Sequence, residues 1–140
     1  MNGFKKIFFD TSPIIYYIEE NERYYDSVAR FLSDNDQGEY ITSVITIGEY
    51  LTIPYRQNNE KYIRALDSLI EGFDFDIIPI DERTARMAAQ IRGNYTGFKL
   101  MDALQLAVAT LQECDVFITN DNQLRQYDKL NVITVEGFIK

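Results

Sequence analysis

Four acidic residues in this sequence stand where an ordinary surface carboxylate does not. Asp10 ends the apolar run Lys6-Ile7-Phe8-Phe9, and Asp121 follows a second one, Val116-Phe117-Ile118-Thr119-Asn120. Asp102 opens the largely apolar stretch 103–111. Glu49 is the only charge between Tyr40 and Tyr55, with Ile45 and Ile53 four residues to either side. A helix that apolar is expected to be largely buried. An unpaired carboxylate there is costly and calls for an arginine, a raised pKa or a metal ion. For Asp10, Asp102 and Asp121 the plainer reading is a helix cap or a turn, roles that suit Asp.

If the four converge, at ~5 Å spacing they repel by roughly 3 kcal/mol per pair at an effective dielectric of about 20. Such a cluster persists only if some groups are protonated or a cation lies among them. The sequence has no His and a single Cys, Cys114, so the ligands are all oxygen, which suits Mg²⁺ or Mn²⁺. The chemistry this supports is metal-assisted attack of water on a phosphate ester. The missing His also excludes Ser-His-Asp, Cys-His and His-ligated zinc chemistry. One Cys forms no internal disulfide, and this fits a cytoplasmic protein.

The elements that must position these acids alternate in type, which predicts an α/β fold with a parallel sheet. Strands are expected at 6–9, 40–42, 75–80, 116–119 and 132–135. Helices are expected at 14–20, 22–32, 43–55, 60–70, 81–91 and 102–111, with a short one at 122–127. Ser12 reads as the cap of the first helix with Pro13 at its first position, and Pro54 should kink or end the third. Asp10 and Asp121 then leave strand ends on the side where parallel sheets bind ligands. If the first and fourth strands are neighbours, all four acids reach one sheet edge.

A chain of 140 residues is the size of one domain, and 46% hydrophobic with 26% charged residues is a globular composition. The balance of 14 basic against 22 acidic residues, −8 net, argues against nonspecific polyanion binding by a basic surface. It leaves room for a nucleic-acid substrate if bound cations supply the positive charge. The longest uncharged run, 103–112, is too short to span a membrane, and only Ile7, Phe8 and Phe9 separate Lys6 from Asp10, so no signal-peptide core is expected.

Taken in order, these segments resemble the PIN domain, most closely the small VapC-type toxin ribonucleases, over nearly the whole chain 1–140. Phe8-Phe9-Asp10-Thr11-Ser12 is similar to that family's first-strand motif. Ser43 to Glu49 is similar to its Ser/Thr-x5-Glu helix, Asp102-Ala103-Leu104-Gln105-Leu106-Ala107 to its Asp-Ala-Leu-Ile-Ala-Ala helix, and Thr119-Asn120-Asp121 to its Thr-x-Asp strand end.

The resemblance implies a single domain with a five-stranded, mostly parallel sheet flanked by helices on both faces, first and fourth strands adjacent. It implies that Asp10, Glu49, Asp102 and Asp121 bind one or two Mg²⁺ or Mn²⁺ ions, supported by Thr11, Ser12 and Thr119. It also implies cleavage of single-stranded RNA to a 5′-phosphate and a 3′-hydroxyl, a small antitoxin protein as partner, and room for a homodimer. Leu124 stands where the family often has Phe, an expected packing change. No basic stripe is evident; Lys99 and Arg125, with Arg86 and Arg92, are the cations available to line a groove.

Rival readings fit less well. A haloacid-dehalogenase-type phosphatase needs a second Asp two residues after the first, where Ser12 stands. A receiver domain needs adjacent acids after its first strand and an Asp after its third; Phe8-Phe9-Asp10 and Ile78-Pro79-Ile80 supply neither. A non-catalytic PIN scaffold that binds protein or RNA remains the alternative from another class.

Overall fold

A computed structural model describes residues 3–138. The chain runs β1 (Lys6–Phe9), α1 (Thr11–Ile18), α2 (Tyr25–Asp34), β2 (Glu39–Ser43), α3 (Val44–Arg56), α4 (Glu60–Phe73), β3 (Asp76–Ile78), α5 (Glu82–Asn94), α6 (Leu100–Leu111), β4 (Val116–Thr119) and β5 (Val132–Thr134). Two 3₁₀ turns, Asn122–Gln126 and Val135–Phe138, flank β5.

Every strand pairing is parallel, in the order β3-β2-β1-β4-β5. The chain winds outward from β1 through β2 to β3, then returns to place β4 on the other side of β1. The carboxyl ends of β1 and β4 therefore flank the point where winding reverses, the usual crevice of an open α/β sheet.

Side chains alternate along the strands and divide the core into two layers. Ile7, Phe9, Tyr40, Val116 and Ile118 face Ile14, Val28, Leu66 and Leu69 of α1, α2 and α4. Phe8, Ile41 and Phe117 face Ala88 and Ile91 of α5 and Leu104, Ala107 and Val108 of α6. Phe8 and Phe117 stack at 5.1 Å between ring centres. Covering both faces explains why β1 and β4 read as unbroken apolar runs. Leu124 is fully buried in the second layer, so the smaller side chain is accommodated as packing.

Several boundaries differ from the sequence expectation. The first helix begins at Thr11, not Ile14, and its cap is Asp10 rather than Ser12. Pro13 is tolerated because the first-turn amides have no intrahelical partner. Pro54 lies inside the last turn of α3 without ending it. The helix carrying Asp102 starts two residues earlier, at Leu100. Gly97 turns the chain into it with φ of +87°, a conformation that suits glycine. Among the described residues no helix is long and apolar enough to cross a membrane.

Candidate metal centre

Asp10 sits one residue past β1, and its backbone N–H donates to Ile118 O of β4, extending the ladder by one bond (2.8 Å). This brings Thr119 beside it, and Thr119 Oγ1 donates to Asp10 Oδ2 at 2.7 Å. The other oxygen, Oδ1, accepts from Thr11 N at 2.9 Å. Asp10 is thus both the cap of α1 and the residue at the switch point; its two roles do not compete.

Burial pushes the Asp10 carboxyl up from 3.8 to about 6. The hydrogen bonds from Thr119 and Thr11 pull it down, and the charges of Asp102 and Glu49 push it further up. Asp102, half-buried on the first turn of α6, is raised for the same first reason, burial, with repulsion from Asp121 and Glu49 added. The Lys99 backbone N–H and the Lys99 charge oppose that rise. Asp10 and Asp102 therefore each feel two of the other acids.

Glu49 corrects the sequence argument that singles it out. Helix α3 is not enclosed: Val44, Ile53 and Tyr55 are exposed, and so is Glu49 as a residue. Its carboxylate nonetheless turns inward to accept from Thr11 Oγ1 at 2.5 Å. Asp121 is exposed; its own N–H donates to Thr119 Oγ1 (3.1 Å) and its Oδ1 caps the 3₁₀ turn through Gln123 N (3.0 Å). Asp102 Oδ2 accepts from Lys99 N at 3.2 Å.

Among the described residues no three acids already stand at a spacing that would hold an ion. Each is held by its own local donors. A chelate by three of them requires side chains to rotate, or water to bridge. The donor set itself fits a hard divalent cation: carboxylate and hydroxyl oxygens, no nitrogen or sulfur, and mutual repulsion that a cation relieves.

Of Thr11, Ser12 and Thr119, Thr11 hydrogen-bonds Asp10 and Glu49, and Thr119 hydrogen-bonds Asp10. Ser12 is half-buried and takes no part in these hydrogen bonds among the described residues. Lys99 and Arg125 are exposed, Lys99 beside Asp102 and Arg125 in the turn that Asp121 caps. Arg86 is paired with Glu82, and Arg92 Nε donates to Phe98 O, bracing the approach to α6.

Three residues of the site escape the sequence reading. Thr42, Thr46 and Gln105 are buried and form a polar knot under the acids. Gln105 Nε2 donates to Thr46 Oγ1 at 2.8 Å, and Thr42 Oγ1 lies 2.7 Å from Phe9 O and 2.8 Å from Thr46 Oγ1. Ser43, which also caps α3, donates to Gln105 Oε1 at 2.5 Å. One signal is present in the sequence: Gln105 interrupts an otherwise apolar run on α6.

The family profile for the PIN domain matches residues 7–130. No curated protein matches the sequence. Among solved structures, the chain is similar to VapBC2 from Rickettsia felis, bound to a DNA fragment from its promoter. That match has a TM-score of 0.75 and 16% identity, covering 92% of this chain and 98% of that one. It is also similar to a toxin–antitoxin complex from Klebsiella pneumoniae (TM-score 0.73, 22% identity, 92% and 97% covered). A third is VapC20 of Mycobacterium tuberculosis, a sarcin-ricin loop cleaving toxin (TM-score 0.65, 18% identity, 79% and 86% covered).

Proposed function

We propose that this chain, which belongs to the PIN domain family, is a metal-dependent endoribonuclease and the toxin of a toxin–antitoxin pair. The observation that carries the reading is the electrostatic linkage of Asp10, Glu49, Asp102 and Asp121 at the carboxyl edge of β1 and β4. Toxin–antitoxin complexes among the structures of similar fold support the toxin role and a small antitoxin as partner.

In this reading Asp10, Glu49, Asp102 and Asp121 hold Mg²⁺ or Mn²⁺. When bound, the ion supplies Lewis acidity at the scissile phosphate and lowers the pKa of water. The protein's own contributions are positional and electrostatic. Thr119 and Thr11 fix both oxygens of Asp10, so its orientation costs no reorganisation during reaction. Thr11 aims Glu49 inward. Burial and the neighbouring acids raise the Asp10 carboxyl to about 6, so its ionised form is disfavoured until a cation offsets the clustered negative charge. In this reading Lys99, exposed beside Asp102, and Arg125, exposed in the turn that Asp121 caps, meet the phosphates of a single strand and offset the net negative charge locally. The products would carry a 5′-phosphate and a 3′-hydroxyl.

The test is cleavage of total RNA with Mg²⁺ or Mn²⁺, with and without chelator, for wild type and Asp10→Asn. The reading expects chelator-sensitive cleavage by wild type only. Cleavage retained in Asp10→Asn at matched purity refutes the assignment. No cleavage by either, with the metal shown to bind, favours a non-catalytic scaffold.

A further inference from the structure

Gln105 is 1% exposed in the middle of α6, where Ala103, Leu104, Leu106, Ala107 and Val108 around it are all buried and apolar. A buried carboxamide costs free energy unless every donor and acceptor is matched, so an apolar residue would suit packing better. Here the carboxamide is matched on both ends. Oε1 accepts from Ser43 Oγ at 2.5 Å; Nε2 donates to Thr46 Oγ1 at 2.8 Å and, more weakly, to Asp10 Oδ1 at 3.4 Å. No buried polar side-chain atom among the described residues lacks a partner.

The orientation of the amide follows from Asp10: an ionised carboxylate accepts and does not donate, so the edge of the carboxamide that faces Asp10 Oδ1 is the N–H edge, and the oxygen faces the Ser43 hydroxyl. The amide N–H groups are then directed at Thr46 and Asp10. From Thr46 the chain continues through Thr11 Oγ1 (3.2 Å) to Glu49 Oε1 (2.5 Å). One side chain of α6 thus reaches the acid at the end of β1 directly and the acid on α3 through two threonines.

We propose that Gln105 is a positioning residue that sets the separation of Asp10 and Glu49, and through it the affinity of the centre for a divalent cation. The inference rests on the proposed function, since it concerns the same centre. Asp121 hangs from β4 through Thr119 and lies outside this relay.

The experiment is a double-mutant cycle read by Mn²⁺ binding, followed by the loss of the free-ion EPR signal, with RNA absent. Gln105→Met keeps the length of the side chain and removes its hydrogen bonds. It should weaken Mn²⁺ binding 10- to 100-fold, the range typical of groups that orient metal ligands. In a Glu49→Gln background the same change should add little, whereas in an Asp121→Asn background it should add its full factor. A merely structural role would lower every background alike, and that result overturns the proposal, as does wild-type affinity in Gln105→Met. Should Gln105→Met fail to fold, Thr46→Val breaks the same relay isosterically and faces the same cycle. If wild type itself binds no Mn²⁺, the proposed function falls and takes this inference with it; binding without the coupling sinks the inference alone.

Discussion

Neutralising Asp10 should stabilise the metal-free protein, against the usual result of altering a half-buried, doubly hydrogen-bonded residue. Its carboxyl is raised from 3.8 to about 6 by burial and by its acidic neighbours. At 1.36 kcal/mol for each tenfold change in proton affinity, ionised Asp10 costs the folded state about 3 kcal/mol above pH 6. A group whose folded pKa is raised binds its proton more tightly when folded, so the penalty is full above about 6 and fades as pH falls toward 3.8. By pH 4.5 it is about 1 kcal/mol. Asp10→Asn removes the charge but spoils one of the two hydrogen bonds from Thr119 and Thr11, a loss of about 1 kcal/mol. The net gain at pH 8 in EDTA is about 2 kcal/mol, or roughly 5 °C in Tm, falling to about zero at pH 4.5. Saturating Mn²⁺ should reverse the order: at 100 times Kd it adds about 2.7 kcal/mol to wild type and much less to the variant. Thermal melts at both pH values, with EDTA and with Mn²⁺, provide the readout. A variant less stable than wild type by the same amount at every pH would show that Asp10 is an ordinary cap, with no negative cluster around it.

Leu124→Ala should cost 2–5 kcal/mol, because the side chain is fully buried between β4, β5 and α6, and a urea titration would show the midpoint fall. Lys99→Ala and Arg125→Ala should each raise KM for RNA with kcat nearly unchanged. Each should also flatten the slope of log affinity against log salt by about 0.7 for every phosphate the side chain neutralises. Unchanged salt slopes would mean the strand lies elsewhere. Burial pushes the Cys114 thiol up to about 12, so thiol reagents at pH 8 should label the native protein far more slowly than the unfolded chain.

The sheet is legible in the sequence because its central strands are short apolar runs ended by polar punctuation, a pattern that suits a doubly covered parallel sheet. The same punctuation places Asp10 and Asp121 at strand ends. Boundaries slip where a residue serves two purposes: Asp10 caps α1 while facing the site, so the helix starts early and Thr11 is its first residue instead of a loop position. The burial argument for Glu49 fails, since α3 leaves Val44, Ile53 and Tyr55 exposed. Hydrophobicity along one helix says nothing about whether a neighbour covers it. Apart from Gln105 standing in an apolar run, the polar knot of Thr42, Thr46 and Gln105 leaves no mark in the sequence, because its members come from β2, α3 and α6. Only their meeting in space distinguishes them from ordinary polar residues.

The central claim is that one cation sits among Asp10, Glu49, Asp102 and Asp121, and anomalous diffraction from crystals grown with Mn²⁺ tests it most directly. The account expects a manganese peak at the carboxyl end of β1 and β4, touching Asp10 and joined to the other three directly or through water. A peak elsewhere on the molecule, or none there at saturating Mn²⁺, would contradict it.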